Sequence, residues 1–375
     1  VLAAIFKPQI MKEKKQSLDK ELENLEEIQS FKDDTSEAPP SDIVAYNELR
    51  SCADLVRMYK MKQLDIQPDF QRDVVWQKPA QTRFIDSLIK QLPIPSMCIS
   101  LDYNTEKRLV IDGLQRMTSI INFLDDDEWK LSDLEDIDSR ISGKTVHTIR
   151  TKTKEIYDRV QNLPIPVTVL RCDYSKISHN EYLFTIFHRL NTGGNKLNNQ
   201  EIRNCIYNGP FNTLLKQLAE SQNWVQLLNL KKGGIYRFSN EELILRFFTF
   251  SDKLADYNGK LAKFLNSYMF ENRNPTQKFI SLKSDLFNKT TILIYEKIFD
   301  RSAVDVMSKS ILEGLLVGVS KNIKKLSEKN PKQLKKLYEN FRALPEFGVD
   351  NLKEGLSAKE KVIDRLNAAI KVFSA

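Results

Sequence analysis

Histidine is nearly missing from this chain: His147, His179 and His188 are the only three in 375 residues, and none stands at metal-ligand spacing from a partner. A His-built metal hydrolase or an HNH-type nuclease domain is therefore not expected. Cysteine is also sparse. Cys52, Cys98, Cys172 and Cys205 are widely scattered without a C-x-x-C, and three of them sit among apolar neighbours. Reduced core thiols of a cytoplasmic protein are the expectation. The opening Val1–Phe6 is too short for a signal peptide or a membrane span, and acids follow soon after. No membrane partner is expected, and no repeat of solenoid period is seen.

What is present is a moderately basic chain with a net charge of +7, unevenly distributed. Residues 1–40 hold nine acids against six lysines, whereas Lys321 to Lys336 alone holds seven lysines. A polyanion partner is compatible with this balance, although a solvated helical surface is the ordinary reading of a lysine run. Length allows a large core and two subdomains.

Periodicity predicts a charged amphipathic helix over 11–30 and a linker over 31–41 broken by Ala38-Pro39-Pro40-Ser41. Helices are expected at 49–60 and 78–92, and strands at Ser96–Leu101 and Arg108–Ile111. A helix over 114–124, an irregular polar stretch over 128–162 and a strand over Ile165–Leu170 come after them. Next are a helix over Glu181–Leu190 and a capping box, Asn198-x-x-Glu201, opening another. Beyond about 211 the pattern is helical almost throughout. The domain reading is 1–42 acidic helix and linker, 43–208 mixed module, and 209–375 helical domain. The fold class is α+β.

Three clusters carry chemistry. In Leu109-Val-Ile-Asp112-Gly113-Leu114-Gln115-Arg116 an apolar strand ends in Asp-Gly and a helix starts at once. Free amides, the positive end of a helix dipole and a guanidinium then converge, which is one way to hold phosphate. Gly113 allows close approach, and Asp112 suits a divalent cation or a water. The bland alternative is a plain strand–turn–helix. In Asp69-Phe70-Gln71-Arg72, with Trp76, the polar pair could take a base edge, ribose or phosphate, and an aromatic face could stack; the aromatics could equally be core. Asn191-Thr192-Gly193-Gly194, coming after a helix, is either a glycine C-cap or an anion nest. Gly143-Lys144-Thr145 is not a Walker A loop, because Asp138 stands where a glycine is required.

In this order the clusters resemble the N-terminal domain of GmrSD-type modification-dependent restriction endonucleases, in the ParB/sulfiredoxin-like superfamily. The resemblance rests on "PDFQRDVVWQKPAQTRFIDSLIKQLPIPSMCIS", "LVIDGLQRMTSIINFL" and "FHRLNTGGNKLNNQEIRN", with "YRFSNEELILRFFTF" as a helical continuation, and covers about 48–270. It implies a ParB-like module with helices behind it, and nucleoside-triphosphate binding and hydrolysis in prokaryotic anti-phage defence, with DNA as target. Carried over by position, the Asp-Gly-Gln-Gln-Arg signature falls on Asp112, Gly113, Leu114, Gln115 and Arg116. The Phe-Gln-Arg motif falls on Phe70, Gln71 and Arg72, and the Asn-Thr-Gly turn on Asn191, Thr192 and Gly193.

Leu114 departs from the family's glutamine, and the nuclease half often fused behind this domain is not recognisable. No cysteine lies in or beside 112–116 in sequence, which disfavours sulfiredoxin-like thiol chemistry. The resulting expectation is an NTPase using magnesium or another divalent cation. Asp112, Gln115 and Arg116 would act at the reaction, with Asp112 also holding the metal. Phe70, Gln71, Arg72, Gly113, Asn191, Thr192 and Gly193 would bind nucleotide. DNA and a separate nuclease subunit are the expected partners, and an oligomer is compatible. A non-catalytic DNA- or partner-binding clamp and a metal-dependent nickase using Asp112 remain the alternatives.

Overall fold

A computed structural model of the chain describes residues 39–66, 76–190, 197–230, 239–304, 307–348, 351 and 356–375. The expected N-terminal helix lies outside them, as does most of the linker. The fold is α+β and divides into two units, one spanning Ala38–Asn198 and one containing Asn199–Ala375.

The first unit is built on a five-stranded mixed sheet of order β1-β5-β3-β4-β2. Its strands are β1 (Val44–Ser51), β2 (Leu64–Asp65), β3 (Met97–Asp102), β4 (Arg108–Asp112) and β5 (Pro164–Cys172). β1 runs antiparallel to β5 through eight consecutive pairs, from Val44 opposite Arg171 to Ser51 opposite Pro164. β5 is parallel to β3, β3 antiparallel to β4, and β4 parallel to β2. Alternation along β5 sends Ile165, Val167 and Val169 to one face. There they join Met97, Ile99 and Val110 beneath five helices. These are α1 (Cys52–Lys60), α2 (Lys78–Ile89), α3 (Leu114–Asp125), α4 (Val146–Lys152) and α5 (Lys154–Asn162). Each gives that core a short apolar stripe, such as Leu55, Val56 and Met58 from α1 or Met117, Ile120 and Phe123 from α3. A sixth helix, α6 (Ile177–Leu190), packs against β4.

Two expectations change here. Residues 49–51 are strand, not helix, because β1 forms by pairing with β5 and its exposed side chains carry no burial period. The stretch 128–162 is less irregular than its polarity suggests. Thr145 caps α4 by accepting from the Thr148 amide at 3.3 Å, and Ile149, Ile156 and Val160 are buried. Gly143-Lys144-Thr145 is thus a turn into a helix cap.

The second unit is helical: α7 (Asn199–Ile206), α8 (Pro210–Ala219), α9 (Gln222–Leu227), α10 (Ser239–Lys253), α11 (Leu261–Glu271) and α12 (Gln277–Ile292) come first. α12 continues as a π-helical stretch, Leu293–Ile298. Then come α13 (Lys309–Lys321), α14 (Ile323–Ser327), α15 (Pro331–Arg342) and α16 (Lys359–Ser374). Its core is aromatic, with Phe247, Phe248 and Phe287 in mutual contact and Trp224 against Phe287. Buried charge is paired: Glu242 accepts from Arg203 at 3.1 Å and from Arg246 at 2.9 Å. Burial pushes the Glu242 carboxyl up, but the positive charges of Arg246, Lys309 and Arg203 together hold it below its ordinary range.

Candidate functional site

The junction of β4 and α3 is built from the strand upward. β4 pairs with β3 through Val110 opposite Ile99 and then Asp112 opposite Cys98, so Ile111 is an extra residue. Such a bulge bends a strand and re-aims the residues beyond it. Gly113 then takes φ +102, a left-handed turn, and serves as N-cap of α3 with no side chain capping the helix. A Cβ at 113 would stand 2.8 Å from Met97 Cγ and 3.3 Å from Arg116 Nη2. Only glycine fits both the dihedral and the space. The turn therefore delivers a 12-residue helix with an amide-rich N-terminus directly from a strand end.

Arg116 is placed differently from the expectation that it faces a phosphate. Its Nη2 donates to Asp112 Oδ2 at 2.6 Å, and its Nη1 donates to the Pro95 carbonyl and to that of Ser96 at 3.3 Å. Its side chain is only 12% exposed. The guanidinium ties together the strand end, the helix start and the loop that enters β3. Asp112, 36% exposed, is correspondingly engaged through one carboxylate oxygen. Sequence held the signal for this pair: an acid and an arginine four apart.

Gln115 reaches in another direction. Its Oε1 accepts from the Trp76 amide at 2.8 Å, across 39 residues. The Trp76 carbonyl in turn accepts from Gln81 Nε2 at 2.8 Å, and Gln81 Oε1 accepts from Asn122 at 3.3 Å. The Trp76 ring meets Phe84 edge-on at 5.6 Å between centroids. The end of the Gln67–Trp76 sequence motif is thus anchored at the first turn of α3. Phe70, Gln71 and Arg72 lie outside the described residues, as do Asn191, Thr192 and Gly193. The segments that carry them adjoin described elements: β2, beside β4, precedes the first, and α6, packed on β4, precedes the second. The bonds from Trp76 to Gln115 and from Asn122 to Gln81 were not legible in sequence, since they span 39 and 41 residues.

Cysteine stands nearer to this junction in space than in sequence. No cysteine neighbours the motif along the chain, yet Cys98 lies opposite Asp112 on β3. Burial, and secondarily the negative charge of Asp112, pushes its thiol up to about 12. At neutral pH it is a protonated core residue and not a nucleophile.

Among the described residues no group of three or more His, Cys, Asp or Glu is placed to hold a metal ion. Asp112 is the motif's one carboxylate, and Arg116 already holds one of its oxygens. Among the described residues this donor set does not make a resident metal site. No helix among the described residues is long and apolar enough to cross a membrane.

Residues 52–208 match the model of a family described as the GmrSD restriction endonuclease, N-terminal domain. No curated protein and no solved structure matches the chain.

Proposed function

We propose, from the match of residues 52–208 to the GmrSD restriction endonuclease N-terminal domain family, that the chain is a DNA-directed component of a restriction-type anti-phage system, working in the cytoplasm. Its β4–α3 junction binds and hydrolyses a nucleoside triphosphate. The observation that carries this reading is the Gln115–Trp76 hydrogen bond. It ties the anchor of one motif to the first turn of the other, beside a helix N-terminus that no side chain caps.

In this reading phosphate meets the α3 amides over Gly113, where the absent side chain allows contact. Gln71 and Arg72 supply polar and cationic contacts, Phe70 a stacking face, and Asn191, Thr192 and Gly193 a second set of amides. The divalent cation comes with the triphosphate as part of the substrate, with Asp112 offering one ligand. Arg116 acts as a positioning residue that fixes the turn, and Gln115 does the same for Trp76. A partner nuclease subunit would supply strand cleavage.

Leu114 favours a second reading, a nucleotide-gated clamp without turnover. It replaces an amide of the signature and packs on the apolar core. The test is binding by calorimetry and phosphate release with each of the four ribonucleoside triphosphates and magnesium, on native protein and Arg72→Ala. Release by native protein and its loss in a normally folded variant would support hydrolysis. Binding without release, with turnover created by Leu114→Gln, would select the clamp. Failure of all four to bind would refute both.

A further inference from the structure

The helical unit carries a surface that the nucleotide site does not use. From Lys321 to Lys336 there are seven lysines and one acid, Glu328. Lys321 closes α13, Lys324 and Lys325 belong to the short α14, Lys329 lies in the turn, and Lys332, Lys335 and Lys336 are on α15. Six are exposed and Lys329 is half-buried. Leu326, Leu334, Leu337 and Phe341 are the residues these helices bury. The Lys297 ammonium donates to the Ser327 carbonyl at 2.8 Å, and Lys335 lies 3.8 Å from Asp300. The end of α14 and the first half of α15 therefore meet the same short stretch of chain, and their lysines form one patch.

Three features show that this charge does not serve the fold. Lys325 donates to the Ser374 carbonyl and Lys335 faces Asp300, but among the described residues Lys321, Lys324, Lys329, Lys332 and Lys336 have no ion-pair partner. Lys332 sits in the first turn of α15, between Asn330 and Gln333 of the capping box and just after Pro331. A helix dipole favours acids there and opposes a cation. Lys332 and Lys336 are like charges four residues apart on α15, a spacing that destabilises a helix. Local rules broken together without a structural return mark a functional surface.

We infer that this face grips the sugar–phosphate backbone of duplex DNA without reading its sequence. The inference rests on the proposal that DNA is the partner and names the face that meets it. The stretch 321–336 has no aromatic residue, so it offers no stacking platform for single strands. It has no arginine for bidentate contact with guanine. It exposes no large apolar side chain that would enter a lipid surface. Compact ammonium groups on two short helices are suited to phosphates and little else.

The test is binding of the full chain to a fluorescein-labelled 30-base-pair duplex across a series of sodium chloride concentrations. Native protein is compared with the triple variant Lys324→Gln, Lys332→Gln, Lys336→Gln. Each phosphate contact contributes about 0.9 to the slope of log affinity against log salt, so losing three should flatten it by roughly 2.7. The thermal midpoint of the triple variant should stay level or rise, which a damaged fold would not do. An unchanged slope with DNA binding intact would overturn the assignment of this face and leave the DNA reading standing. No binding by native protein at low salt would overturn both. Tighter, lysine-dependent binding to phosphatidylserine vesicles than to the duplex would reassign the face to membranes.

Discussion

Replacing Gly113 by alanine puts the local argument at its most exposed point. Two costs add. A left-handed φ of +102 disfavours any L-residue by about 1–2 kcal/mol. The new methyl, 2.8 Å from Met97 Cγ and 3.2 Å from Met97 Cβ, overpacks a fully buried site at a further ~1–3 kcal/mol. Met97 is unbranched and able to shift its outer atoms, so the lower half of that range applies. A total of about 2–4 kcal/mol results, a large share of the roughly 5–15 kcal/mol that holds a domain together. Because the chain has two units, a single denaturation midpoint would blur the effect. Hydrogen exchange read by mass spectrometry on β4 and α3 avoids this, and protection there should fall by roughly 30- to 800-fold for amides that exchange through unfolding of the unit. Met97→Ala in the same background removes the nearer clash, so the two changes should cost about 1 kcal/mol less together than their sum. A loss below ~0.5 kcal/mol for Gly113→Ala would refute the argument that glycine is required at this turn.

Two further outcomes are expected. Burial pushes the Glu241 carboxyl up from 4.5 to about 7, so the folded chain holds this proton more tightly than the unfolded one. Stability should therefore fall as pH rises from about 4.5 through 7, and Glu241→Gln should abolish that part of the pH dependence and stabilise the protein above pH 7; an unaltered profile from pH 5 to 8 would contradict it. Cys52, Cys98 and Cys172, all free and buried, have thiols pushed up to about 12 by burial, and Cys205 is buried too. Titration with a thiol-reactive disulfide at pH 8 should find almost none reactive in native protein and four in denaturant, and fast labelling of Cys98 would reopen thiol chemistry beside Asp112.

The strand–turn–helix at 108–125 was legible because all its causes are local. An apolar run, a glycine and an amphipathic period of 3.6 stand side by side in the chain, and the structure returns β4, Gly113 and α3. The causes of α15 are local too, with an asparagine cap, a proline in the first turn and a buried stripe. β1 was hidden because nothing local marks it. Val44, Tyr46 and Leu49 are 51%, 40% and 70% exposed, and the strand exists only through its register with β5, over 110 residues away. The site divides in the same manner. Its motif was visible, but the inward turn of Arg116 depends on the Pro95 and Ser96 carbonyls of a neighbouring loop. The role of Gln115 depends on a distant main-chain amide.

That amide has an evolutionary consequence. The bond from Gln115 ends on the backbone of position 76, and the Gln81 bond ends on the same residue's carbonyl. Every amino acid but proline presents that N–H, and every one presents that carbonyl. Selection on the bonds therefore falls on positions 115 and 81 and leaves position 76 answerable, among the described residues, to its packing with Phe84. Among related sequences, substitutions at 76 should drift without echo at 115. By contrast 81 and 122, joined side chain to side chain, should change together. A contact map drawn from correlated substitutions would miss this tie between the two motifs.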